Sequence, residues 1–443
     1  MNRGTRSRRG FLRDATSTLA AAGLPLWFAR ETAIATPIRR VPARADKVVM
    51  AAIGTGSRGS VVMEEAARRG AQFVAVCDVD VKHREDAKRV LGKLGQEKVD
   101  EYNDFREILD RKDITAVTVV TPDHWHALIA IEAMKRGKDV YCEKPLSLTI
   151  AEGRAMVDAA RKYDRILQTG SQQRSDARFR LACELVRNGR LGKIATVETR
   201  IGSNPNGGPF ATSPAPAGLD WNMWMGPTPE VDFVKERCHY EFRWWYEYSG
   251  GKVTDWGAHH NDIAQWGLGT DETGPVKVES ECSKPVPMEP NCYNCPPEFK
   301  ITYTYAKDAT KYCDGTRVVC TDAGDNGIKF IGESGDWIFV DRGNIKASDK
   351  KLLDEPLPAD AIRLLVSDDH MKNFVESLSS REKPICDVAI GHRSASVCHI
   401  GNISMRMGGR TLQWQPEKER FFGDALANEM LSRPMRAPWK LEV

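Results

Sequence analysis

Apolar residues come in short runs along the first third of the chain, and the stretches between them carry helical spacing. VVMAAI at 48–53, FVAVC at 73–77, TAVTVV at 115–120, DVYC at 139–142 and RILQT at 165–169 have the length and near-continuous hydrophobicity of strands buried on both faces. SVVMEEAARR at 60–69 and the segments near 82–92, 103–109, 126–136 and 150–161 read as helices. Regular alternation of the two predicts a doubly wound parallel sheet, an α/β domain spanning residues 46–174.

After a further helix at 177–188 the pattern changes. TVETRI, VKVESEC, FKITYTYA, TRVVCT, GIKFIGE and GDWIFV follow one another without regular intervening helices, which predicts an α+β domain over 175–443 built on a large, mostly antiparallel sheet. Between the first two of these strands, TDWGAHHNDIAQWGL at 254–268 reads as a helix. The segment from 368 onward reads as helices returning across the sheet.

With 443 residues and 41% apolar composition, the chain has enough material for two cores. A net charge of +3 gives no basic surface that would ask for nucleic acid. The first 35 residues read differently from the rest: SRRGFL at 7–12, an apolar run from Ala15 to Phe28 and the small-x-small triplet Ala33-Ile34-Ala35 form the pattern of a twin-arginine export signal, placing the protein in the periplasm or another extracytoplasmic compartment. The run is too short to span a bilayer, so no permanent transmembrane helix is expected. Eleven cysteines are scattered, with Cys282, Cys292, Cys295, Cys313 and Cys320 gathered in one region. Disulfides and free thiols both remain open there, and no metal is expected because the CxxC at 292–295 has no second ligand pair.

The first strand runs into GTGSRG, where Gly54 permits a tight turn, Gly56 lets the backbone approach a pyrophosphate and Gly59 brings the helix against the strand. Ser57 and Arg58 lie in the same turn. Asp78, closing the second strand, is placed to accept hydrogen bonds from an adenosine ribose, and Val79 after it offers no cation for a 2′-phosphate. NAD is therefore the expected cofactor. TPDHWH at 121–126 and EKPLS at 143–147 also end strands on the sheet's carboxyl edge, which adds Thr121, Pro122, His124, His126, Glu143 and Lys144 as cofactor contacts.

On the predicted 254–268 helix, Asp255, His259 and Asp262 share one face, so Asp255 is expected to orient His259 as an acid–base group. Arg243, Trp244 and Trp245 lie in a segment rich in tryptophan and suit a carbohydrate, whose C–H faces stack while its hydroxyls seek donors. With Asp255 and His259 they form the expected substrate contacts.

GTGSRG, TPDHWH, EKPLS and DWGAHHND together resemble the Gfo/Idh/MocA oxidoreductases, the family of glucose-fructose oxidoreductase and inositol dehydrogenase, with the bacterial-type carboxyl-terminal domain. The resemblance covers the chain after the signal segment. It implies Lys144, Asp255 and His259 as the catalytic set, hydride transfer between a carbohydrate or polyol hydroxyl and tightly bound nicotinamide, and a homo-oligomer. It also leaves open an NAD-dependent glycoside hydrolase, lyase or epimerase that oxidises a sugar transiently. A noncatalytic sugar-binding protein would leave the acid–base set without a task.

Overall fold

A computed structural model describes residues 16–19, 23–35, 48–284 and 290–443. The paired arginines of the expected export signal lie outside these residues. The amino-terminal domain is a six-stranded parallel sheet of β1 (Val49–Ile53), β2 (Gln72–Cys77), β3 (Asp100–Tyr102), β4 (Ala116–Val119), β5 (Asp139–Cys142) and β6 (Leu167–Thr169), in the order β3-β2-β1-β4-β5-β6. β1, β4 and β5 are buried almost throughout, as continuous apolar runs require when helices cover both faces.

The second domain holds nine strands: β7 (Ile194–Arg200), β8 (Lys277–Cys282), β9 (Phe299–Thr304), β10 (Arg317–Thr321), β11 (Gly327–Gly332), β12 (Trp337–Val340), β13 (Ile345–Ala347), β14 (Leu412–Gln415) and β15 (Arg420–Phe421). Their order is β13-β12-β11-β7-β10-β9-β8-β14-β15. Only β7 and β10 pair in parallel; every other pairing is antiparallel. The fold class is as expected, with β13, β14 and β15 too short to stand out in the sequence.

The Gly251–Leu268 helix lies beneath this sheet and is buried on nearly every side. It packs against the Val388–Arg406 helix, itself almost wholly buried. The chain also crosses back: Met371, Phe374 and Leu378 of the His370–Ser380 helix sit in the core of the first domain, so its packing unit reaches beyond the expected 46–174 segment. The Leu26–Ala35 helix, where the cleavage triplet falls, is seated on the second domain. Phe28 is buried beneath the Arg180 guanidinium, 4.4 Å from its ring centroid, and the Trp27 indole donates to Leu353 O at 2.9 Å. All eleven cysteines are free thiols.

Among the buried histidines held uncharged chiefly by desolvation, His124 is pushed down to about 3, and His260, His370 and His399 to about 4. Each takes up a proton only on unfolding below its ordinary pKa of about 6.5, so each contributes stability that is present above that value and lost as pH falls toward 4. The slope is about 1.4 kcal/mol per pH unit for each histidine, and Asp123, pushed up to about 6 mainly by burial, offsets one of them. The urea midpoint is therefore expected to drop steeply between pH 6.5 and 4.5. Denaturation curves across that range check it, and a flat midpoint contradicts the buried neutral imidazoles.

Candidate active site

A cavity of about 980 Å³ runs between the carboxyl edge of the parallel sheet and the Gly251–Leu268 helix. At one end β1 turns through Gly54, at φ +81°, into the Ser57–Arg68 helix. A Cβ at Gly54 would stand 2.6 Å from the Val120 carbonyl carbon, and one at Gly59 only 2.0 Å from Gly54 O, so neither position admits a side chain. Gly56 caps the helix with no side-chain hydrogen bond, leaving the first-turn N–H groups for an anion. This is a cradle fitted to a dinucleotide pyrophosphate.

Asp78 ends β2 beside it. Its carboxylate accepts from the N–H groups of Thr55 at 2.7 Å and Asp80 at 3.0 Å, and His83 Nδ1 stands 3.3 Å away. Burial opposes the charge, but the His83 and backbone hydrogen bonds outweigh it and hold the carboxyl below its ordinary value. Ser57, Arg58, Thr121, Pro122 and Glu143 line the same cavity. Arg58 Nε pairs with Glu143 Oε1 at 2.9 Å, and Gln172 Nε2 donates to the same oxygen at 2.8 Å.

At the other end the two domains meet through Lys144. Its Nζ donates to Asp255 Oδ1 at 2.6 Å and to Asp255 O at 3.1 Å, both side chains being mostly buried. Arg243 Nε lies 3.7 Å from the same carboxylate oxygen. Desolvation works against the Asp255 charge, and Lys144 followed by Arg243 reverses it, leaving the carboxyl below its usual range. One helical turn on, His259 is 6% exposed with Nδ1 unpartnered. Burial first, then the charges of Lys144 and Arg342, hold its imidazole well below the ordinary value, hence neutral.

Several expectations need correction. Asp255 does not orient His259; it is committed to Lys144 and Arg243, because the lysine reaches it first from across the crevice. Asp262 is turned away into a bidentate pair with buried Arg174 at 2.8 Å. His124 and His126 are 1% exposed and do not line the cavity. His124 Nε2 donates to Trp224 O at 2.9 Å. His126 lies between two carbonyls, Pro145 O and Thr121 O, each at 2.8 Å, so both ring nitrogens carry protons and the ring ties the EKP turn to the TPDHWH turn. Burial resists that charge, but Cys142, Asp123 and the Pro145 carbonyl raise the imidazole to about 10.

Trp244 and Trp245 are likewise interior, donating to Glu241 Oε2 at 2.8 Å and Glu236 O at 2.7 Å, with Arg237 stacked 3.7 Å over Trp245. The aromatic lining comes instead from Tyr240, Phe242, Trp256 and Trp224, which the sequence did not single out as contacts, and from Trp125, which it placed at the cofactor crevice. Arg342, at the turn between β12 and β13, also lines the cavity and lies 4.5 Å from the Trp256 ring centroid. Trp256 could have been found as the neighbour of Asp255; nothing near Arg342 marks it.

Residues 48–171 match the profile described as the oxidoreductase family, NAD-binding Rossmann fold, of Gfo/Idh/MocA, and 208–441 match the carboxyl-terminal alpha/beta domain of the same family. The myo-inositol 2-dehydrogenase of Thermotoga maritima is 31% identical over 239 residues, 52% of this chain and 60% of that protein. A glycosyl hydrolase family 109 protein of Shewanella sp. is 31% identical over 166 residues, 34% of this chain and 36% of its own. The chain thus spans less than two thirds of the length of these relatives. In fold it is similar to the aldose–aldose oxidoreductase of Caulobacter crescentus, with a TM-score of 0.60 and 21% identity over 83% of this chain and all of the other.

Replacing Asp78 by alanine is expected to weaken NAD binding about tenfold or more, since a charged hydrogen-bond acceptor is lost, and to narrow the preference over NADP. Titration of both cofactors into wild type and variant reads this; an unchanged NAD affinity excludes Asp78 as the ribose acceptor.

Proposed function

Since the chain belongs to the Gfo/Idh/MocA oxidoreductase family, we propose that it transfers hydride between a carbohydrate or polyol hydroxyl and tightly held NAD, using Lys144, Asp255 and His259. The observation that carries this reading is the 2.6 Å contact of Lys144 with Asp255, which unites a strand end at the cofactor edge with a helix of the second domain, one turn from a neutral imidazole. When bound, nicotinamide supplies the hydride acceptor and donor. His259 takes the hydroxyl proton, its buried and uncharged ring being free to accept one. Lys144, held by Asp255, donates to the oxygen as negative charge develops there. Arg243 and the aromatic rings of Tyr240 and Trp256 bind and orient the sugar, in place of the two interior tryptophans.

The glycosyl hydrolase relative favours a second reading with the same residues: the sugar is oxidised, a neighbouring bond is cleaved or inverted, and the hydride returns within the cycle. A protein exported folded by the twin-arginine route, as SRRGFL suggests, meets no ready nicotinamide pool outside the cytoplasm, which favours retention and internal recycling of cofactor. Homo-oligomer formation is supported by the outer face of the large sheet, where Val319, Ile331, Trp337 and Phe339 are only partly buried. Among the described residues no helix is long and apolar enough to cross a membrane.

Lys144→Ala and His259→Ala are each expected to lower kcat roughly 100-fold or more, the scale of a lost acid–base group, with NAD occupancy retained. Near-normal turnover in either rejects its role. In wild type the acidic limb of kcat/KM is expected below the ordinary histidine value of about 6.5, because the His259 imidazole is depressed; a limb at or above it contradicts a neutral buried base. Incubation of the untreated protein with sugars and glycosides, no NAD added, separates the readings. One NADH per product marks a dehydrogenase, and product without net NADH marks internal return.

A further inference from the structure

Away from the catalytic end, Asp80, His83 and His239 present one ligand atom each, all within 4.8 Å of one another. Asp80 caps the Val81–Lys93 helix, accepting from Lys82 N–H at 2.9 Å through Oδ1, while Oδ2 faces His239 Nε2 at 3.3 Å. The rings of His83 and His239 lie 4.8 Å apart. His83 Nδ1 is turned to Asp78 Oδ2, so its proton lies there and the Nε2 lone pair is free. A carboxylate behind an imidazole in this way is how proteins orient a metal-ligating histidine and raise its basicity.

We propose that Asp80, His83 and His239 bind a divalent cation of the zinc class and so clip the second domain to the first across the adenosine end of the cofactor crevice. Two imidazoles and one carboxylate suit zinc, and three protein ligands leave a fourth position for water or a cofactor oxygen. The local charge fits: Arg84 is engaged with the Asp78 carbonyl and Asn103, so the Asp80 carboxylate, with Asp78 behind His83, meets a dication without that guanidinium in competition. Ligands around tetrahedral zinc stand about 3.4 Å apart. His239, half-exposed, closes the remaining distance by rotating its ring. The clip joins the turn after β2 to the His239–Trp244 segment, and both imidazoles line the cofactor cavity, so a bound ion hinders cofactor release. It holds whichever course the reaction takes.

The test titrates the chelator-treated full-length chain with Zn²⁺ against a chromophoric competitor, and follows NADH dissociation by stopped-flow fluorescence with and without Zn²⁺. His239→Asn is the main variant, because asparagine tolerates the left-handed backbone at φ +48°; His83→Gln is the second, and circular dichroism checks that both fold. Wild type is expected to bind one equivalent, each variant roughly 100-fold more weakly, and Zn²⁺ is expected to slow NADH release in wild type alone. No zinc in wild type, or equal affinity in all three proteins, overturns the site. Stoichiometric zinc that leaves NADH release unchanged overturns the clip.

Discussion

The contact between Lys144 and Asp255 is the constraint on which the crevice depends. It is made by two mostly buried groups from different domains, and removing one partner of such a pair costs about 3–5 kcal/mol because the other is left uncompensated. The pair therefore holds only if both backbones are fixed independently, and each is. On one side His126 bonds the carbonyl of Pro145 and that of Thr121, locking the turn that bears Lys144. On the other, Arg174 clamps Asp262 with two 2.8 Å bonds and Asp271 with a third at 2.7 Å, fixing the helix that bears Asp255. Ser249, just ahead of that helix, donates to Asp123 in the first domain. Three polar ties converge on one ion pair.

The chemistry at the cofactor edge was legible where a residue type is required by backbone geometry or by the end of a strand. GTGSRG could be read because only glycine fits beside the Val120 and Gly54 carbonyls. Lys144 and Asp255 could be read because a strand end and a helical turn fix where they emerge. The rest failed for one physical reason: helical spacing tells which residues share a face, not which face is solvent-filled. On a helix buried all round, Asp262 faces an arginine and Asp255 faces the site, although the sequence treats them alike. Trp244 closes a 3-10 segment and Trp245 follows it in extended backbone, with no amphipathic period to sort inside from outside. Arg342 comes from a hairpin turn, and Asp80, His83 and His239 come together only through the packing of the two domains.

The low proton affinity of His259 looks at first like a poor property in a base. What governs proton transfer, however, is the difference between donor and acceptor, and both sit in the same field. On the reading proposed above, Lys144 and Arg342, two of the groups that depress His259, would also act on a hydroxyl bound in the crevice they line. On that reading, as the hydroxyl became an alkoxide the same cations would lower its proton affinity as they lower that of the imidazole. Asp255 binds Lys144 and so offsets part of the positive charge beside the His259 ring. The buried pair thus joins the domains and, on the reading proposed above, directs its cation toward the oxygen at which negative charge would develop.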